Sequence, residues 1–465
     1  MNQSIRQKNK YYLLFIALTA AFGGFLFGYD TAVISGTISL VKEQFNLSTL
    51  MEGWFVSSAL VGCIAGVMVA GELSDRFGRK ISLILAGLMF SVSAFGCALS
   101  LSHTGLIIFR LAGGLGIGVA SILSPLYISE VSPAAVRGRM VTLYQLAITM
   151  GIVAAYFVNA WLLKISVTGT SFFSSGLCQK IFVTEVWRAM FGASSVPALL
   201  FFLAMFFVPE SPRWYAAKGI DAKAGLVLAK INGEAIARQE LANIKQALGK
   251  EEKGEWKALL QPGIRVALFA GIVLALLSQF TGINAIIYYG PRIMEEAGLK
   301  LSDALGSQVV IGIVNVVATL YAIWKIDKFG RKKLLTIGIT GMFFSLLLVG
   351  LLFLLKQADG ILLIVFILTF IIFFAIGYGA VIWVLLSEIY PTKVRGRAMS
   401  VATLSLWVGT AVIGQVVPWM LETLSPAVTF FVFAACCIPV PFILKLVPET
   451  KGKSLEEIEK AWQIE

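Results

Sequence analysis

Long apolar runs and short polar ones alternate along the chain, and the spacing of the alternation is that of membrane spans. Continuous apolar runs occupy approximately residues 12–36, 52–71, 82–101, 105–128, 139–163, 185–208, 264–290, 304–325, 334–355, 360–386, 398–418 and 425–447. Each is near the roughly 20 mainly apolar residues that a helix needs to cross a bilayer. A closed barrel would instead alternate apolar and polar residues. The runs are continuous, so twelve transmembrane helices are predicted. Residues 210–263 break the rhythm: their repeated Ala, Leu, Lys and Glu predict short amphipathic helices outside the bilayer. Residues 454–463 read the same way, with Ser454 as N-cap and Glu457 closing a capping box. Both pieces are either solvated connectors or a latch bridging the two halves.

Composition agrees with the bilayer as solvent. The chain of 465 residues is 58% hydrophobic and 14% charged, with a mean hydropathy of +0.85, where a soluble chain carries about a quarter charged residues. The net charge of +12 is no sign of nucleic acid, because the charges cluster between the apolar runs. With both termini placed in the cytoplasm, Lys42, Lys164, Lys180, Arg188, Arg292, Lys300 and Lys356 fall outside and Arg110 falls within a span. The other 30 of the 38 lysines and arginines lie inside, as the positive-inside rule requires. Residues 1–10 are polar and basic and precede a run of spanning length, so no cleavable signal peptide is expected. The five cysteines are not spaced as a zinc site or a disulfide framework, and the one histidine, His103, is read as part of a short loop. No metal site, nucleophile–base pair or phosphate loop is visible, so the chain is not read as an enzyme and no cofactor is expected.

Three motifs occur twice in the same order. Residues 71–80 (GELSDRFGRK) follow the second run, and 325–332 (KIDKFGRK) follow the eighth. Ser129-Glu130 precedes Arg137-Gly138-Arg139 after the fourth run, and Ser387-Glu388 precedes Arg395-Gly396-Arg397 after the tenth, with seven residues from Glu to Arg in both. Val208-Pro209-Glu210-Ser211 and Val447-Pro448-Glu449-Thr450 end the sixth and twelfth runs. This repetition implies duplication of a six-span unit, which points to a transporter with its site between the halves. The expected domains are a bundle over 1–209, a linker over 210–263, a second bundle over 264–448 and a tail over 449–465.

With these motifs, the whole chain resembles the sugar porters of the major facilitator superfamily, whose repeat architecture is a standard example. It is especially similar to bacterial sugar–proton symporters for xylose, arabinose and galactose and to facilitative glucose transporters. The runs Pro209–Arg213 and Pro448–Gly452 are the most family-specific. The resemblance implies a monomeric, multi-pass protein of the bacterial inner membrane that carries a monosaccharide by alternating access. It also implies that Asp75, Arg79, Glu130, Arg137, Asp327, Arg331, Glu388 and Arg395 form a gating charge network that holds the halves together when the cytoplasmic side is closed. Ordinary positive-inside anchoring is the plainer account of the same residues.

Two charges stand within apolar runs: Asp30, and Arg110 early in the fourth. Such residues usually pair and face the protein interior or a cavity. They make either a structural ion pair or a proton switch in which the arginine approaches the carboxylate in one conformation only. Proton-coupled sugar porters carry an acid at the position of Asp30 and facilitative transporters a neutral residue, so the resemblance favours symport. A uniporter of the same sugars and a non-transporting sugar sensor are the alternatives; a sensor would be expected to have a longer tail.

For sugar hydroxyls, amides that both donate and accept are suited. Gln145, Gln279, Asn284 and Asn315 are the candidates in the spans, with Trp383 as an aromatic face. Each alone also suits helix packing. Gln279 and Asn284 are five residues apart and face one cavity if Gly282 loosens the turn. The resemblance adds Phe27, Tyr288 and Trp407 as lining aromatics. It also marks departures: Ser278 stands where the family commonly has a first glutamine. Ile152 stands where the xylose symporter has glutamine and glucose transporters have isoleucine. Leu406 replaces a polar residue of the xylose symporter. Gly113, Gly114, Gly116 and Gly118 suit close helix packing. Gly377 and Gly379 are read as possible gate flexibility, and Pro418, Pro439 and Pro441 as kinks.

Overall fold

A computed structural model describes residues 2–133, 136–168, 176–250, 256–358, 360–391, 394–451 and Trp462. All regular structure among the described residues is helical. The first half holds α1 (Asn2–Phe45), α2 (Thr49–Phe77), α3 (Arg79–Leu99), α4 (His103–Val131), α5 (Arg137–Thr168) and α6 (Val186–Ala204). Three shorter helices follow: α7 (Pro212–Ala217), α8 (Asp221–Asn232) and α9 (Glu234–Lys250). The second half holds α10 (Ile264–Phe280), α11 (Ile283–Glu296), α12 (Leu301–Phe329), α13 (Arg331–Leu354), α14 (Gly360–Glu388), α15 (Arg395–Trp419), α16 (Ser425–Cys437) and α17 (Val440–Leu446).

Eleven described helical stretches are long and apolar enough to span a membrane. The last of them, Arg395–Leu446, contains two of the twelve expected spans. They are divided at Ser425, which has a left-handed φ of 78° after a wide helical turn over Met420–Leu424. That turn follows Pro418, whose missing N–H disrupts the regular ladder. The seventh expected span is α10 plus α11, broken at Gly282. Pro439 divides α16 from α17, as expected of a helix-breaking proline. Large apolar side chains such as Leu14, Leu18, Phe157, Leu200, Val317 and Leu362 are exposed, as suits contact with lipid.

The expected amphipathic helices of the central stretch are α7, α8 and α9. Pro212 starts α7, and the Ser211 hydroxyl accepts the Trp214 N–H at 3.3 Å, a standard helix start. Asn232 with Glu240 and Lys245 with Asp221 tie α8 to α9. His103 is corrected: it opens α4, whose N-cap is Ser102, with the Ser102 hydroxyl accepting the Gly105 N–H at 3.1 Å. The expected capping box at Ser454 and Glu457 lies outside the described residues.

The chain packs as two compact units that cut it along different lines from the sequence halves. The first holds residues 1–30, 61–155 and 188–252. Its helices cross at glycines. A methyl group on Gly62 or Gly66 of α2 would strike the Leu111 or Leu115 carbonyl of α4, and one on Gly118 of α4 would strike the Cys63 carbonyl. Gly113 and Gly116 face Ser93 and Ala86 of α3. Backbones this close need small residues, so the glycines of α4 serve packing as expected. The second unit holds residues 31–60, 156–187 and 253–465. In it residues 31–45 of α1, 49–60 of α2 and 156–168 of α5 associate with α11 and α15. Tyr156 donates to the Ile287 carbonyl at 3.2 Å and Ser57 to Gln415 at 2.7 Å. Gly377 of α14 lies against Gly338 of α13, within a wide helical stretch over Ala375–Gly379.

Candidate functional site

The break between α10 and α11 builds the amide pair. Gly282 adopts a left-handed φ of 87°, and the Phe433 ring stands where a side chain would project. The helix therefore stops at Phe280 and restarts at Ile283. This folds Asn284 back onto Gln279: Asn284 Nδ2 donates to Gln279 Oε1 at 2.6 Å. Gln279 Nε2 donates to Ser278 Oγ at 2.8 Å, and that hydroxyl donates to the Ala275 carbonyl at 2.7 Å. Thr410 of α15 reaches Gln279 Oε1 at 3.0 Å. Thr410 was not singled out from the sequence; its distance of 131 residues from Gln279 leaves no local signal.

The other expected pocket residues stand on separate helices. Tyr288 on α11, Trp407 on α15 and Asn315 on α12 are buried, and Trp383 on α14 is 36% exposed. Phe27 on α1 and Gln145 on α5 belong to the first unit and are half-buried. Tyr289, beside Tyr288, donates to the Gly414 carbonyl at 2.5 Å and so anchors α11 to α15.

In the first unit, the two intramembrane charges lie within electrostatic reach of each other. Arg110 is 4% exposed and lies over the Phe191 ring, 5.7 Å from its centroid. Asp30 is half-buried. The two charges act on each other and on the thiols of Cys63 and Cys97. Asp30 follows a tight crossing: methyl groups on Gly28 of α1 and Gly151 of α5 would strike the Ile148 and Phe25 carbonyls. Backbone contact on this scale holds α1 in register against α5.

The duplicated motifs form two clusters, each inside its own unit. Arg79 makes a two-pronged bond to Glu130, at 3.0 Å from both Nε and Nη2. Arg331 makes the matching bond to Glu388, at 3.1 and 2.9 Å. Ser211 and Thr450 each donate to the same glutamates at 2.5 Å. Glu210 accepts the Arg79 and Lys80 N–H groups at 2.9 and 3.1 Å, and Glu449 those of Arg331 and Lys332 at 3.2 Å. These carboxylates cap α3 and α13 just after Gly78 and Gly330, whose φ values are 93° and 86°. A cap at the positive end of a helix dipole satisfies donors that the helix itself cannot. Burial pushes the Glu210 carboxyl above the usual range, although the Ser211, Lys80 and Arg79 N–H groups pull the other way. Asp75 is a minor, exposed partner of Arg79 at 3.4 Å. Arg395 donates to the Tyr390 carbonyl at 3.3 Å, and exposed Arg137 interacts electrostatically with Glu240. The side chain of Asp327 lies outside the described residues.

A further charged cluster lies within the second unit, at residues that the sequence alone does not single out. Glu52 of α2 has no exposed surface, yet it pairs with Arg292 of α11 and, at 2.9 Å, with Lys42 of α1. Thr49 donates to Glu422, Gln415 to the Leu50 carbonyl at 3.1 Å, and Ser39 to Glu295 at 3.0 Å. A cavity of about 750 Å³ opens there, lined by Ser39, Lys42, Glu43, Glu52, Arg292 and Glu295 among others. The available signal was an acidic residue at the lip of an apolar run together with two of the few basic residues on that side.

The family model "Sugar (and other) transporter" matches residues 16–462. The arabinose-proton symporter of Bacillus subtilis is 44% identical over 97% of this chain and 95% of its own length. The D-xylose-proton symporter of Escherichia coli K12 is 36% identical over 99% and 97%. Among solved structures, a proton:xylose symporter of the major facilitator superfamily superposes with a TM-score of 0.80 at 35% identity, covering 98% of this chain and all of that one. The xylose transporter of E. coli in a partially occluded inward-open conformation gives 0.83, also at 35%, covering 96% and 100%. The chain therefore belongs to the sugar transporter family: it is a multi-pass membrane transporter of the major facilitator fold, not an enzyme.

Proposed function

We propose that the protein imports a monosaccharide, a pentose or hexose, together with protons across the bacterial inner membrane. Relatives named as arabinose-, xylose- and galactose-proton symporters support the reading. The observation that carries it is the half-buried Asp30 under the field of buried Arg110. A carboxylate whose distance to a guanidinium changes between conformations changes its proton affinity with it. Protonation of Asp30 then favours the sugar-loaded state open to the outside, and the two halves, 1–209 and 264–448, rock about a bound sugar. Gln279, Asn284 and the aromatics Phe27, Tyr288, Trp383 and Trp407 hold the sugar, with Gln145 and Asn315. The clusters of Arg79 with Glu130 and Arg331 with Glu388, joined by Asp75, Arg137, Asp327 and Arg395, act as the cytoplasmic gate. The termini face the cytoplasm, the protein works as a monomer, the proton is its coupling ion, and nucleic acid is no partner.

The test is sugar-triggered alkalinisation of a lightly buffered suspension of expressing cells, with an uncoupler control. Xylose, arabinose, galactose, glucose and fucose are pulsed in turn. Alkalinisation with one of them establishes symport and names the substrate. Entry of labelled sugar without a pH change replaces symport by facilitated diffusion.

A further inference from the structure

Thr410 has one hydroxyl proton and two acceptors in reach: Gln279 Oε1 at 3.0 Å and, one turn back on its own helix, the Leu406 carbonyl at 2.8 Å. It is 3% exposed, so water does not readily substitute for either. The neighbouring bonds fix which way the Gln279 amide points. Its Nε2 donates to Ser278 Oγ, whose own proton is committed to Ala275, so the other end of the amide must accept. Asn284 Nδ2 and Thr410 then fill the two lone pairs of Oε1. Gln279 also lies flat on α15: its Cβ and Cγ are 3.4 and 3.5 Å from where a side chain on Gly409 would begin.

We infer that Thr410 is a positioning residue for the sugar-binding amide, holding Gln279 in its receptive rotamer and releasing Oε1 when a sugar hydroxyl arrives. The release is inexpensive because the Leu406 carbonyl stands ready for the same proton. Without Thr410, Gln279 keeps two anchors and regains rotamer freedom that binding must remove again. This inference rests on the reading of Gln279 and Asn284 as sugar-binding amides.

The experiment measures KM and Vmax in proteoliposomes for whichever of radiolabelled xylose, arabinose, galactose and glucose the parent transports. Thr410→Val, which keeps shape and removes the hydroxyl, is expected to raise KM three- to tenfold with Vmax within twofold. Thr410→Ser is expected to restore the parent KM. In a Gln279→Ala background, Thr410→Val is expected to add nothing, because both residues act through one contact. An unchanged KM in Thr410→Val while Gln279→Ala raises it overturns the inference and leaves the sugar site standing. Full additivity of the two changes also overturns it. An unchanged KM in Gln279→Ala removes the site and the inference together.

Discussion

Glu210 and Glu52 are both buried carboxylates, yet they are compensated by different chemistry. Glu210 faces backbone N–H groups at a helix start, and burial raises its proton affinity above that of an unfolded chain. A carboxyl with a raised folded value binds its proton better in the folded state. Its contribution is fully present below the unfolded value and is lost as pH rises through the folded one. Melting of detergent-solubilised protein should therefore gain less from acidification from pH 7 to pH 5 in Glu210→Gln than in the parent; equal gains would show that Glu210 does not carry this dependence. Asp30 belongs to the same scale. Asp30→Asn should abolish uphill accumulation while exchange of internal for external sugar continues, and sustained accumulation would defeat the coupling role.

At the scale of elements, the decisive device is the carboxylate that gathers several chain segments. Glu130 receives Arg79 from α3 and Ser211 from the start of α7, and Glu388 repeats the arrangement with Arg331 and Thr450. Exposed ion pairs contribute about 0–1 kcal/mol. These glutamates are more sheltered, with side-chain exposures of 4% and 22%, and their loss removes the two-pronged acceptor of a guanidinium. Glu130→Gln is expected to lower maximal uptake severalfold with little change in KM; unchanged maximal uptake at equal expression speaks against a gate. The break at Gly282 is a second element-scale feature. A non-glycine residue in the left-handed region costs roughly 1–2 kcal/mol, and here its methyl would also enter the Phe433 ring. Gly282→Ala is therefore expected to separate Asn284 from Gln279 and weaken sugar binding at least tenfold, as read by binding to purified protein.

Much of this was legible in the chain because it is local or repeated. Apolar run lengths give the helices, and the doubled motifs identify the residues of both clusters before any contact is seen. The Gly282 break was legible as a glycine between two amides. What stayed hidden depends on contacts across long separations: Arg292 reaches Glu52 across 240 residues and Gln415 reaches Leu50 across 365. No periodicity reports such meetings, so Glu52, Gln415, Glu422 and Thr410 read as ordinary residues near helix ends or within spans. The doubled motifs also suggested a network between halves, whereas the described two-pronged bonds lie within each unit.

For the whole molecule, the cluster around Glu52 ties α1, α2 and α11 together at the end proposed to face the medium. Glu52→Gln should loosen it. With Cys178, an exposed native thiol, changed to serine, a cysteine installed at Ser39 should react faster with an impermeant maleimide in Glu52→Gln than in the parent. Equal rates would mean that the cluster does not hold those helices together.

The burial of Glu52 also bears on salt. Mobile ions screen exposed charges over about 8–10 Å at 0.1–0.15 M, but they act weakly on a carboxylate with no surface in contact with water. Asp75, with 81% of its side chain exposed, is open to that screening. A tie made through Glu52 should therefore weaken less with added salt than one made through Asp75, as thermal melting of the purified protein in dilute and saline buffer would read.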